Sequence, residues 1–165
     1  MTKKDFNNIS IRGRIAFAIQ CAKLYWDSNI QKDFSPIYEK MIDIIGNKYP
    51  IDEAASIYME IIPEYLFEFD TYEESDFEYL SKEDYILFSE LLEGTPSDFI
   101  LIMQKIYDMV MSSAYSGIEP KAPMVTDRLF EIIDVMNQAK MQLPSIDNYY
   151  KYDYSIADGW EDFII

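Results

Sequence analysis

Apolar residues recur at steps of three and four along nearly the whole chain, a spacing that favours a helical fold over any other. A helix returns to the same face about every 3.6 residues, so such a pattern builds one buried stripe per segment. Ile11, Ile15, Ala18, Ile19, Ala22 and Trp26 share a face of a first helix, which Ser10 caps and which runs to about Asn29. A second takes Ser35 as cap and Pro36 at its first helical position, and stops at Gly46. The third is the most regular: Asp52 caps it, and Ala54, Ile57, Tyr58, Ile61, Ile62, Tyr65 and Phe69 line one side. Pro63 falls opposite that stripe, where it should kink the helix without ending it.

Ser81 caps a fourth helix that ends before Gly94, and Thr95-Pro96 opens a fifth that reaches about Tyr115, with Gly117 beyond. The fifth is apolar nearly all round, with a narrow polar stripe of Gln104, Lys105, Asp108 and Ser112, and is expected to be the central, most buried element. A sixth, from Pro123 to about Met141, should bury Leu129, Ile132, Ile133, Met136 and Ala139. Tyr150, Tyr152, Tyr154 and Ile156 then alternate with charged or small residues, which predicts an extended tail over 145–165 laid across the helices with a short β-bridge. The expected fold is all-α: a single domain over 1–165, a bundle or α-α array of about six helices with a Tyr-rich tail.

With 165 residues, 49% of them hydrophobic and only 5 glycines, the chain can bury one sizeable core. The lone Cys21 excludes an internal disulfide framework and fits a reducing compartment. The N-terminus reads as neither a signal peptide nor a membrane span, so a cytoplasmic location is expected. The chain has no histidine, which removes Ser-His and Cys-His nucleophile pairs and the His-based zinc sites.

Charge is distributed unevenly. The net charge is −16, yet residues 1–48 hold 8 basic against 5 acidic groups, while residues 49–93 hold 14 carboxylates against Lys82 alone. Glu60, Glu64 and Glu68 stand one helical turn apart on a stripe expected to be exposed, followed by Asp70, Glu73, Glu74, Asp76 and Glu78. Phe69, Tyr72, Phe77 and Tyr79 interleave with these acids. Aromatic rings supply contact area and carboxylates steer a basic partner, so this block is a candidate partner-binding surface. The competing reading is a solvated loop with its rings turned inward, neutralised in part by Arg12, Arg14 or Lys23. Under either reading nucleic acid is disfavoured as a direct ligand, because phosphate would be repelled.

Nothing in the sequence assembles a catalytic or metal centre. Glu73-Glu74 is a chance pair in a crowded acidic stretch, and Glu83-Asp84 suits a helix N-terminus. Calcium-loop and phosphate-loop spacings are missing. Arg12-Gly13-Arg14 is expected to pair with carboxylates across the bundle. Asp158-Gly159-Trp160 suggests a tight turn that either tucks Trp160 over the helices as a lid or presents it to a partner.

The run I-R-G-R-I-A-F-A-I-Q-C-A from Ile11 resembles the first helix of bacterial all-α immunity proteins found beside polymorphic toxins. The segments Leu143-Pro144-Ser145-Ile146, Tyr152, Asp158-Gly159-Trp160 and Ser112-Ser113-Ala114-Tyr115-Ser116-Gly117 resemble that family as well. The resemblance implies a cytosolic antidote, not an enzyme, that binds a cognate toxin stoichiometrically and needs no cofactor or metal. The charge adds an expectation that the toxin is basic and nuclease-like. An acidic nucleic-acid mimic that blocks a DNA-binding protein is the alternative, and the sequence leaves the oligomeric state open.

Overall fold

The computed structural model describes residues 1–46, 49–115 and 121–155. Seven α-helices lie within them: α1 (Ile11–Asn29), α2 (Ser35–Ile45), α3 (Ile51–Met59), α4 (Pro63–Leu66), α5 (Lys82–Leu92), α6 (Ser97–Tyr115) and α7 (Pro123–Gln138). Short 3-10 turns occupy Lys3–Phe6, Tyr72–Glu74 and Ile146–Tyr149. The fold is all-α, and no helix among the described residues is long and apolar enough to cross a membrane.

Local chemistry accounts for most of the boundaries. The Ser10 hydroxyl accepts from the Gly13 amide at 3.0 Å, and Ser81 accepts from the Asp84 amide at 3.1 Å, so each satisfies a donor that a helix start leaves unpaired. Gly94 has φ +72 just beyond α5, where a left-handed residue closes the helix end. Other boundaries differ from expectation. Ser35 is the first residue of α2, with Phe34 in the cap position. Pro50, not Asp52, occupies the cap position of α3; Asp52 and Glu53 lie in its first turn, where acids favour the helix dipole. Helix α7 ends at Gln138, and Ala139 is exposed.

The third helix does not continue through its proline. Helix α3 stops at Met59, residues 60–62 form a turn, and Pro63 starts α4. Proline lacks an amide hydrogen and its ring opposes the carbonyl four residues back, which is Met59. Pro63 is buried, not set on a polar face.

Helix α6 packs against α7, α3 and α1, and α1 packs in turn against α7 and α2. The most buried helix is α1: 13 of its 19 residues are buried, whereas α6 leaves Ile100 and Leu101 exposed. Small residues explain the exchange of roles. Gly13, Ala16, Ala18, Cys21 and Ala22 let neighbours approach α1 from several sides, while the bulkier α6 is covered on fewer. At the far end of α1, Trp26 stacks on Phe34 at 4.8 Å and meets the edge of Phe99 at 4.9 Å, and its indole N–H donates to the Lys32 carbonyl.

The tail crosses the start of α1. An antiparallel bridge joins Ile9 and Asp153, with the Ser10 amide donating to Tyr152 O at 2.9 Å and the Tyr154 amide to Asn8 O at 2.9 Å. Tyr152 is buried between exposed Lys151 and Asp153, but Tyr150, which an extended tail would place on the same face as Tyr152, is exposed. Residues 146–149 form a 3-10 turn and Tyr150 keeps a helical backbone, so among the described residues the extended tail is confined to the bridge. A Cβ on Gly13 would lie 2.8 Å from Ile9 Cγ2 and 3.0 Å from Tyr152 Cβ, so this crossing requires glycine.

Arg14 lies beneath the crossing and is fully buried. Its Nε donates to Ile9 O at 2.9 Å, and Nη1 donates to Lys121 O at 2.6 Å and to the Thr126 hydroxyl at 2.8 Å. The expected carboxylate partners are replaced by backbone carbonyls, which gather because Lys121 and Ala122 adopt positive φ just before α7. Burial lowers the Arg14 pKa to about 10, well above neutrality, so the guanidinium stays charged.

Candidate functional site

The acidic segment folds as a limb made of α4, the 72–74 turn and α5, which packs chiefly on itself. Its organising residue is Glu60. Only 4% of Glu60 is exposed, and its carboxylate accepts three consecutive backbone amides: Glu78 N at 2.7 Å to Oε1, and Tyr79 N at 2.9 Å and Leu80 N at 2.7 Å to Oε2. A buried carboxylate is tolerated when several N–H donors replace its water. Here the three donors belong to a segment without secondary structure, whose amides would otherwise go unpaired. Glu60 therefore leaves the set of candidate contact residues; it holds the candidate surface in place.

The rings form a second brace. Tyr65, Phe69, Tyr72, Phe77 and Tyr85 meet in a mostly edge-on or tilted cluster with centroids 5.5–6.1 Å apart. Their hydroxyls find partners at its rim: Tyr72 donates to Leu80 O at 3.1 Å, Tyr85 to Phe69 O at 3.0 Å, and Tyr65 to Asp76 at 2.7 Å. The Asp76 bond, ahead of burial, pushes the Tyr65 phenol up to about 12. Tyr72 is thus a packing residue with its ring half-buried, while Tyr79 remains 37% exposed.

The remaining acids face solvent. Glu64, Glu68, Asp70, Glu73, Glu74, Asp76 and Glu78 are all exposed. Cations reach the limb from Lys82, which pairs with Glu73 and lowers its pKa, from Lys40, 3.8 Å from Asp84, and from Lys32, whose ammonium donates to carbonyls at the end of α5. Lys23 pairs within its own helix with Asp27 at 2.6 Å, Arg12 donates to Ile45 O at 2.8 Å, and Arg14 is enclosed in the core. The expected neutralisation by Arg12, Arg14 or Lys23 does not occur, because each is engaged elsewhere. Among the described residues no three acidic or cysteine side chains converge as a metal site.

Trp160, with Ile156, Asp158 and Gly159, lies outside the described residues, as do Ser116 and Gly117. The sequence reading also missed a residue. Phe67, just past α4, is 48% exposed and stands apart from the ring cluster. Its signal was its position: it falls between Tyr65 and Phe69, the last two members of the stripe expected to be buried.

No family model, no curated protein and no solved structure matches this chain.

Proposed function

We propose that this chain is an immunity protein: a stoichiometric inhibitor that binds a cognate bacterial toxin in the cytosol, with the toxin domain basic and nuclease-like. The supporting observation is a limb whose exposed carboxylates outnumber the cations that reach it, mounted on a rigid base of rings and a buried glutamate. Preorganised charge of one sign steers an oppositely charged protein and can raise association rates toward roughly 10⁸–10⁹ M⁻¹s⁻¹ at low salt. Speed of capture is what an antidote needs when its target attacks the cell's own nucleic acid. The resemblance carried by the run from Ile11 points the same way. Those residues form the buried helix α1, so they speak for the scaffold and the limb speaks for the contact.

Co-expression with the product of the adjacent gene tests the proposal. Cells should survive that product when this chain is present, and the two should co-purify at equal stoichiometry. Absence of both rescue and binding would refute the reading. Within the complex, reversing Glu64, Glu68, Glu73 and Glu74 to Lys should slow association at low salt by at least about tenfold and leave helicity unchanged. Unaltered association rates would remove the limb from the interface.

A further inference from the structure

A groove of about 530 Å³ runs between the end of α4 and the outer face of α5. Two aromatic residues, the exposed Phe67 and the half-buried Phe69, contribute to one wall, and three carboxylates, Asp70, Glu90 and Glu93, stand along it. None of its lining residues is cationic. The nearby Lys32 ammonium donates to the carbonyls of Glu90, Leu91 and Glu93, so it caps the C-terminus of α5 and does not form an ion pair with either carboxylate. The Ser89 hydroxyl, closed to solvent within the lining, has no hydrogen-bond partner among the described residues.

We infer that this groove is the docking slot for an arginine side chain of the basic partner. The inference rests on the proposed function and names its anchor point. An arginine combines the two properties that the groove offers to meet: a planar cation that lies on an aromatic face, and a fork of donors matched to carboxylate oxygens. Its aliphatic stem covers Phe67, whose exposure is otherwise an uncompensated apolar cost. Lysine carries the charge without the planar stack, so the groove discriminates between the two cations.

The test titrates the isotope-labelled full chain at low salt with a short blocked peptide carrying two arginines, alongside lysine and glutamine versions. The arginine peptide should shift the amides of Phe67, Ser89, Glu90 and Gly94 most. The lysine peptide should bind several-fold more weakly and the glutamine peptide should not bind. Phe67→Ser and Glu90→Gln, both on exposed residues, should each weaken the arginine peptide by about tenfold with melting temperature unchanged. Equal binding by lysine and arginine overturns the inference, as do shifts spread evenly over residues 64–78. So does concentration-dependent self-association abolished by Phe67→Ser, which would make a second copy the occupant. These failures leave the proposed function standing, since rescue from the adjacent gene's product is read independently of the groove.

Discussion

Arg14 near the start of α1 and Glu60 just past the end of α3 are both buried charges, yet they hold together very different regions. Around Arg14 the apolar packing is dense: Ile9, Ile11, Ile15 and Phe17 are all essentially inaccessible. The guanidinium there selects the arrangement, drawing Ile9, Lys121 and Thr126 to one point so that the N-terminal segment and the start of α7 meet correctly. Around Glu60 apolar residues are buried as well, among them Tyr58, Ile61, Leu66 and Leu80, but the segment that returns over it is irregular and is held by hydrogen bonds and ring contacts. One charge gathers carbonyl oxygens and the other gathers amide hydrogens. Apolar burial serves both regions, and in the limb polar satisfaction also fixes the irregular segment.

The sharpest way to break this contrast is to remove Arg14. Arg14→Ala leaves buried carbonyls without donors and opens a cavity, and should cost about 3–5 kcal/mol, felt as a drop in global melting temperature. A small loss would mean that the packing alone sets the seam. Glu60→Ala should cost about 2–4 kcal/mol, but unevenly. Amide exchange at Glu78, Tyr79 and Leu80 should accelerate far more than exchange in α1, and a uniform acceleration would erase the distinction between limb and core. Glu60→Gln is an intermediate case, because the amide keeps one oxygen for two donors and turns an NH₂ toward the third.

Gly13→Ala tests the density of the core. Alanine is ordinarily favoured over glycine inside a helix by roughly 0.5–1 kcal/mol. Contacts of 2.8 Å to Ile9 and 3.0 Å to Tyr152 reverse the sign, giving a net loss of about 1–2 kcal/mol and a displaced tail. A stabilised variant would show that the crossing gives way easily. The smallest effect belongs to the limb. The Tyr65 phenol is raised in the folded chain to about 12, so its neutral form is the one stabilised. That contribution is complete below the unfolded value near 10 and is lost as pH rises from 10 toward 12. Urea midpoints of the parent should therefore fall more steeply than those of Tyr65→Phe in that window, and parallel curves would deny the Asp76 bond any role.

Helix starts at Ser10 and Ser81, stops at Gly46 and Gly94, and the bridge made by the tyrosine tail were legible, because each depends on a few neighbouring residues. The acidic block was legible as composition. Its internal sorting was not: Glu60, Glu64 and Glu68 are indistinguishable by spacing, yet Glu60 turns inward while the other two stay in solvent. The ring pattern was equally ambiguous, since an aromatic beside an acid can face either way until its neighbours are known. The choice of α1 over α6 as the most buried helix also escaped, because apolar content measures what a helix can bury and not how closely its neighbours can come.

The sequence by itself determined an all-α chain, its capped helix ends and a segment whose charge is nearly all negative, since these follow from periodicity, local hydrogen bonding and counting. Tertiary structure alone decided which charges go inside. That outcome depends on where distant segments return: residues 78–80 over Glu60, and Lys121 with Thr126 beside Arg14. A buried charge is tolerated only where the returning chain supplies partners of the opposite polarity, and no local pattern encodes that meeting.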